Sequence, residues 1–121
     1  MNDNLRFGAF LREVRIRKGY SIRELAKISN VSPYYLSYIE SGVKSNPSLD
    51  VMGRIIKSLS MSKTEIEMFL DLHAKANGCV SYDLVDFIMG NDEIRETIRN
   101  ERDKPGSSPT WNDFIKKMNN G

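Results

Sequence analysis

The stretch from Ser21 to Gly42 limits what this chain can fold into more than any other. It encodes two short helices and the turn between them. Ser21 is a natural N-cap, and Glu24, three residues on, completes a capping box. Leu25 and Ala26 point inward, and Ala26 is small enough for a second helix to cross close by. Asn30 falls at the turn, where a positive φ is needed and Asn tolerates it better than most residues. Val31 plugs the space beneath. Ser32 caps the second helix, and Pro33 stands at its first position, where a missing N–H costs nothing. Leu36 and Ile39 form the buried stripe. Ser32, Pro33, Tyr34, Ser37, Tyr38 and Ser41 are left outward or end-on. A helix so polar and aromatic on its outer face is built to touch something.

Two short helices held at a steep angle by a tight turn are the helix-turn-helix of DNA-binding proteins. The flanking words sharpen the likeness: Phe10-Leu11-Arg12-Glu13-Val14-Arg15, Lys18-Gly19-Tyr20-Ser21, Glu24-Leu25-Ala26, the run Val31 to Gly42, Pro47-Ser48, and Ile55 to Met61. Over about residues 5 to 75 the sequence resembles the Cro and phage-repressor class of regulators, the XRE family. Ser29 departs from the Ala or larger apolar residue often found there, and Asn30 from the usual Gly. The resemblance implies an all-α, five-helix lambda-repressor-like domain whose third helix, residues 32 to 41, enters the major groove of double-stranded DNA. It implies base contacts from Ser32, Pro33, Tyr34 and Tyr38. It also implies that Arg15 pairs with Glu40 as a strut between the first and third helices. Relatives of this size commonly come from phages and mobile elements, repress transcription as homodimers on palindromic operators, and often control their own operon.

The side chains carry part of this reading by themselves. Tyr34 and Tyr38 are one turn apart and share a face. Ser32 and Tyr34 are expected to meet base edges or phosphates, and Tyr38 to reach along the groove. Pro33 can offer only apolar contact, for example to a thymine methyl; Ser37 joins the base-reading set. Tyr35 faces sideways, toward packing or a phosphate. Phosphate positioning falls to Arg23, Lys44 and the backbone around Ser45 and Asn46, with Lys27 and Arg17 as weaker candidates.

The rest of the chain reads as helices around this pair. Leu5 to Lys18 is the first, with Phe7, Phe10, Leu11 and Val14 facing a core and Gly19 stopping it. Ser48 caps a fourth, whose inner face is Leu49, Met52, Ile55, Ile56 and Leu59. Ser62 caps a fifth, with Glu65 in a capping box and Ile66, Phe69, Leu70 and Leu72 apolar. Met52 and Met68 read as packing residues. Asn77-Gly78 ends the module, giving a DNA-binding domain over 1–76 and a small helical C-terminal segment over 77–121. In that segment Ser81 or Asp83 opens a helix stopped by Gly90, and Asn91 caps another running to about Asp103. Thr110 caps a last one carrying Trp111, Phe114, Ile115 and Met118. So few residues cannot easily close a core alone. They must dock on the front domain, on a second copy, or on both.

Charge follows the same division. Residues 1–62 hold ten Lys or Arg against five Asp or Glu, a net +5, and residues 63–121 hold eight against eleven, a net −3. A basic front and an acidic rear suit a module that presents one end to a polyanion. Other chemistries lack their parts. His73 is the only histidine, too few for a His-centred metal or triad site, and it is expected on a helix surface or interface. The glycines make no phosphate-binding loop. Cys79 stands alone, which suits a reducing cytoplasm. No stretch is apolar enough to span a bilayer. The expectation is a cytoplasmic, non-enzymatic, cofactor-free and metal-free DNA-binding regulator, a repressor acting as a homodimer. The alternative is an antitoxin that autoregulates its operon and holds a toxin through residues 81–118.

Overall fold

The computed structural model describes residues 2–106 and 109–120, and these form eight helices and no strand. Contacts divide the chain into two units, Met1–Leu84 and Val85–Gly121.

The front unit holds α1 (Asp3–Arg17), α2 (Ile22–Ser29), α3 (Pro33–Glu40), α4 (Leu49–Ser58) and α5 (Lys63–Asn77). Each begins on a side chain that satisfies a free amide. Asn2 accepts from the Leu5 amide, which starts α1 two residues ahead of the expected Leu5. Ser32 and Ser48 cap α3 and α4, and Ser21 and Ser62 close full capping boxes with Glu24 and Glu65. Between α2 and α3, Asn30 adopts φ 55°, ψ 45°, the left-handed conformation the tight turn requires.

α1 packs on α3 and α5, while α2 packs on α3 and α4. The core between them is made by Phe7, Leu11 and Val14 of α1, Leu25, Leu36 and Ile39 of the helical pair, Met52, Ile55 and Leu59 of α4, and Phe69 of α5, all at 1 % exposure or less. Phe7 stacks on Phe69 with ring centroids 5.1 Å apart. Burying a side chain of this size contributes about 1.5–3 kcal/mol. Gly8 sits where α1 crosses the end of α3. A Cβ there would collide with the carbonyl oxygens of Ile39 and Glu40, so only glycine permits this approach. Ser29, the departure from an apolar family residue, is buried with its hydroxyl donating to the Leu25 carbonyl at 2.6 Å.

Three expectations of burial are corrected. Leu49 is 55 % exposed rather than in the core. As the first residue of α4, its side chain leans toward the helix N-terminus, past the edge of the bundle. Met68 is exposed too, one position off the α5 stripe that continues Phe69 and Leu70. His73 goes the other way: it extends that stripe at i+4 from Phe69 and is buried. Ser81 and Tyr82 fold back on α5, the Ser81 hydroxyl bonding Asp71 and the Tyr82 ring lying 5.3 Å from His73.

α6 (Tyr82–Met89) crosses the division between the units, and α7 (Asp92–Arg102) and α8 (Pro109–Asn120) follow. Asn91 caps α7 by accepting from the Ile94 amide. α8 starts at Pro109, so Thr110 lies within its first turn rather than before it. The side chains of Thr110 and Trp111 lie outside the described residues.

Candidate nucleic-acid interface

α3 offers an uncovered outer face. Leu36 and Ile39 are fully buried, whereas Tyr34 is 78 % exposed and Tyr38 47 % exposed, one turn apart. Pro33 and Ser37 are exposed on the same short helix, and Ser32 is exposed at its N-cap. Tyr35 is half-buried and packs against the core. Its ring lines an open groove of about 450 Å³ with Ser32, Asn46, Ser48 and Arg54. The base-facing candidates thus share one element. Tyr35 stands at its flank.

The rod is braced from behind by Arg15 and Glu40. Arg15 Nε donates to Glu40 Oε2 at 2.7 Å and Nη2 to Oε1 at 2.9 Å, while Nη1 donates to the Tyr20 carbonyl at 2.8 Å. The side chains keep only 11 % and 8 % of their exposure. The hydrogen bond to Glu40 raises the Arg15 pKa against the opposing effect of burial. Paired at both nitrogens and bonded at the third, the guanidinium fixes α1, the end of α3 and the α1–α2 turn together.

The phosphate candidates lie around that rod. Arg23 is exposed in the first turn of α2, and Lys27 is exposed one turn on. Arg17, by contrast, is held in ion pairs with Glu13 and Glu65. The loop after α3 turns at Gly42, φ 83°, and the Val43 and Lys44 amides donate to the Tyr38 carbonyl at 2.9 and 3.1 Å. The Lys44 amide is therefore committed within the loop, and Lys44 has its exposed side chain to offer. Asn46 is exposed, Ser45 half-buried and Pro47 buried.

Arg54 carries no motif, yet it braces the turn that sets the angle of α3. Its Nη1 donates to the Asn30 carbonyl at 2.7 Å and the Ser29 carbonyl at 3.4 Å, and Nη2 pairs with Asp50 at 3.0 Å. The carbonyls that end α2 would otherwise lack partners within their helix. The available signal was an Arg four residues after Asp50, beside the buried Met52 and Ile55.

Two packed helices joined by a tight turn at Asn30, the second exposed and aromatic, define a helix-turn-helix domain. Residues 11–66 match the helix-turn-helix family HTH_3, and this part of the chain is a helix-turn-helix domain of the XRE type. It is 46% identical over 59 residues to the HTH-type transcriptional regulator SlrR of Bacillus subtilis, covering 49% of this chain and 39% of that one. To the HTH-type transcriptional regulator SinR of the same organism it is 36% identical over 55 residues, covering 46% of this chain and 50% of that one. The chain thus spans half or less of the length of these relatives. The crystal structure of the clp gene regulator ClgR from C. glutamicum is similar at 35% identity and a TM-score of 0.49, covering 64% of this chain and 91% of that one.

Among the described residues, no group of three or more His, Cys, Asp and Glu could hold a metal ion, and no helix is long and apolar enough to cross a membrane.

Proposed function

We propose that this chain is a sequence-specific DNA-binding repressor that acts in the cytoplasm as a homodimer on a palindromic operator. One observation carries the reading: Tyr34 and Tyr38 stand exposed on a helix whose opposite side is sealed into the core. α3 lies in the major groove, with Ser32, Pro33, Tyr34, Ser37 and Tyr38 toward the bases. Arg23, Lys27, Tyr35, Lys44, Ser45 and Asn46 meet the flanking phosphates. Two copies sit about one helical turn apart, near 34 Å.

The rear unit supports the pairing. Val85, Phe87, Met89, Ile98 and Met118 are exposed on it, and so small a unit gains little by folding alone. The same apolar surface favours a second reading, in which residues 81–118 hold a toxin and DNA binding is autoregulation. A toxin would co-purify in fixed ratio with the chain, whereas a homodimer brings no second protein.

Affinity measured against salt tests the docking. Arg23→Ala is expected to weaken binding to all sequences alike and to lower the salt slope by ~0.9. Tyr34→Ala is expected to relax preference between sequences by ~1–3 kcal/mol. Unchanged affinity in both variants at fixed salt refutes the docking.

A further inference from the structure

The loop between α3 and α4 is held from beneath by the last two turns of α5. Asn77, the final residue of that helix, donates through Nδ2 to the Ser45 carbonyl at 2.6 Å and to the His73 carbonyl at 2.8 Å. One turn back, His73 places Nε2 3.1 Å from the Pro47 carbonyl. The His73 ring is buried, set edge-on to Phe7 at 5.6 Å between centroids and tilted against Tyr82 at 5.3 Å. Its aim is therefore fixed by packing on two sides.

The bond from Asn77 to the His73 carbonyl is a side chain returning to its own helix four residues back. Its bond to Ser45 serves no helical purpose, and neither does that of His73 to Pro47. Both reach carbonyls of one loop, at alternate residues. The consequence shows in exposure: Ser45 and Pro47 turn inward while Lys44 and Asn46 stay exposed. Asn46 then lines the same groove as Ser32 and Tyr35, at the start of α3.

We infer that His73 and Asn77 are positioning residues for DNA binding: they fix the loop so that Lys44 and Asn46 meet the phosphate backbone. The inference rests on the DNA-binding reading of α3. Neither residue touches DNA. Each acts through the loop carbonyl it holds.

The test uses the full chain and a mixed-sequence DNA duplex, with affinity followed from ~50 to ~200 mM salt. Asn77→Ala is expected to bind about tenfold more weakly at fixed salt, the size of one lost charge-assisted contact. Its log–log salt slope should fall by ~0.9, as though one phosphate contact had gone. His73→Phe, which retains a ring but no donor, should do the same. His73→Gln, whose amide nitrogen can reach the Pro47 carbonyl, should recover the slope. Loss of folded protein alone scales binding by a constant and leaves the slope untouched, so the slope separates positioning from stability. Asn77 is exposed, so its variant tests the inference even if the His73 variants fail to fold. Lys44→Ala completes a cycle: combined with Asn77→Ala it should lower the slope no further than Lys44→Ala alone. A steep wild-type slope left unchanged by Asn77→Ala, or fully additive losses in the cycle, overturns the inference alone. A wild type that binds the duplex with no salt dependence overturns the DNA-binding reading and the inference together.

Discussion

The two units use the same arginine brace to different ends. In the front unit, Arg54 of α4 donates to the carbonyls of Ser29 and Asn30 at the end of α2 while pairing with Asp50. In the rear unit, Arg95 of α7 donates to the carbonyls of Ile88 and Met89 at the end of α6 while pairing with Asp92. Each arginine satisfies the open end of an earlier helix, Arg54 that of α2 and Arg95 that of α6. Around Arg54 lies a bundle with ten large side chains at 1 % exposure or less; in α6 and α7 no residue is buried. Caps and arginine braces shape a helical corner, but burial is what makes it stable. The front unit has its core within one chain. We propose that the rear unit finds its own against a second copy.

The largest expected effect falls on the buried brace. Glu40→Ala leaves the Arg15 guanidinium charged and nearly sealed from water, which should destabilise the front unit by about 3–5 kcal/mol. No exposed ion pair of the rear unit should match it, since such pairs contribute about 0–1 kcal/mol. Chemical denaturation of Glu40→Ala beside Glu101→Ala, whose exposed carboxylate pairs with Lys104 at 2.7 Å, measures the gap. Equal losses would mean that the front strut is solvated in solution.

Core truncation compares the units more directly. Leu36→Ala should cost about 2–5 kcal/mol, because the bundle around it cannot collapse into the space. Phe87→Ala, at a residue 58 % exposed, should change the stability of dilute chain by no more than about 0.5 kcal/mol. Its effect should appear instead in self-association. Light scattering is expected to show the full chain as a dimer, Phe87→Ala weakened, and a chain ending after Leu84 monomeric. A truncation as dimeric as its parent breaks the proposed division of labour.

How far the sequence declares these structures follows from how local their causes are. The five front helices are legible because each carries its own start signal, Ser21 with Glu24 and Ser62 with Glu65 above all, and because Leu36 and Ile39 or Phe7, Leu11 and Val14 repeat at helical spacing. Asn30 at the turn is legible for the same reason. Gly8 is not: it reads as a weak spot inside α1, and only the approach of the Ile39 and Glu40 carbonyls explains it. Leu49 misleads because spacing cannot tell where along a helix the core ends. His73 misleads because the only histidine of a chain invites a surface role, although its register with Phe69 already pointed inward. The links of Asn77 to Ser45 and of Arg54 to Asn30 span 32 and 24 residues, and no local pattern contains them.

The smallest effect concerns acid. Glu65 closes the α5 capping box and lies against Arg17 and Lys18 of α1. The Ser62 amide first, and then the hydrogen bond from Arg17, lower its pKa from 4.5 to about 2. A carboxyl depressed on folding stabilises the native state fully above its ordinary pKa and loses that contribution as pH falls through the folded value. The front unit should therefore weaken between about pH 5 and pH 2. Glu65→Gln keeps an acceptor for the capping box but drops the charge, so it should start less stable at pH 7 and converge on the wild type as the pH approaches 2. Asp92 of α7 sits in the equivalent first turn at 96 % side-chain exposure, where water and salt screen its pairing with Arg95. Asp92→Asn should change stability at pH 7 little, as expected of an exposed pair. Denaturation midpoints for both variants at pH 7 separate the units once more; followed on to pH 4 and 2, a Glu65→Gln curve parallel to the wild type would place that carboxylate in free solvent.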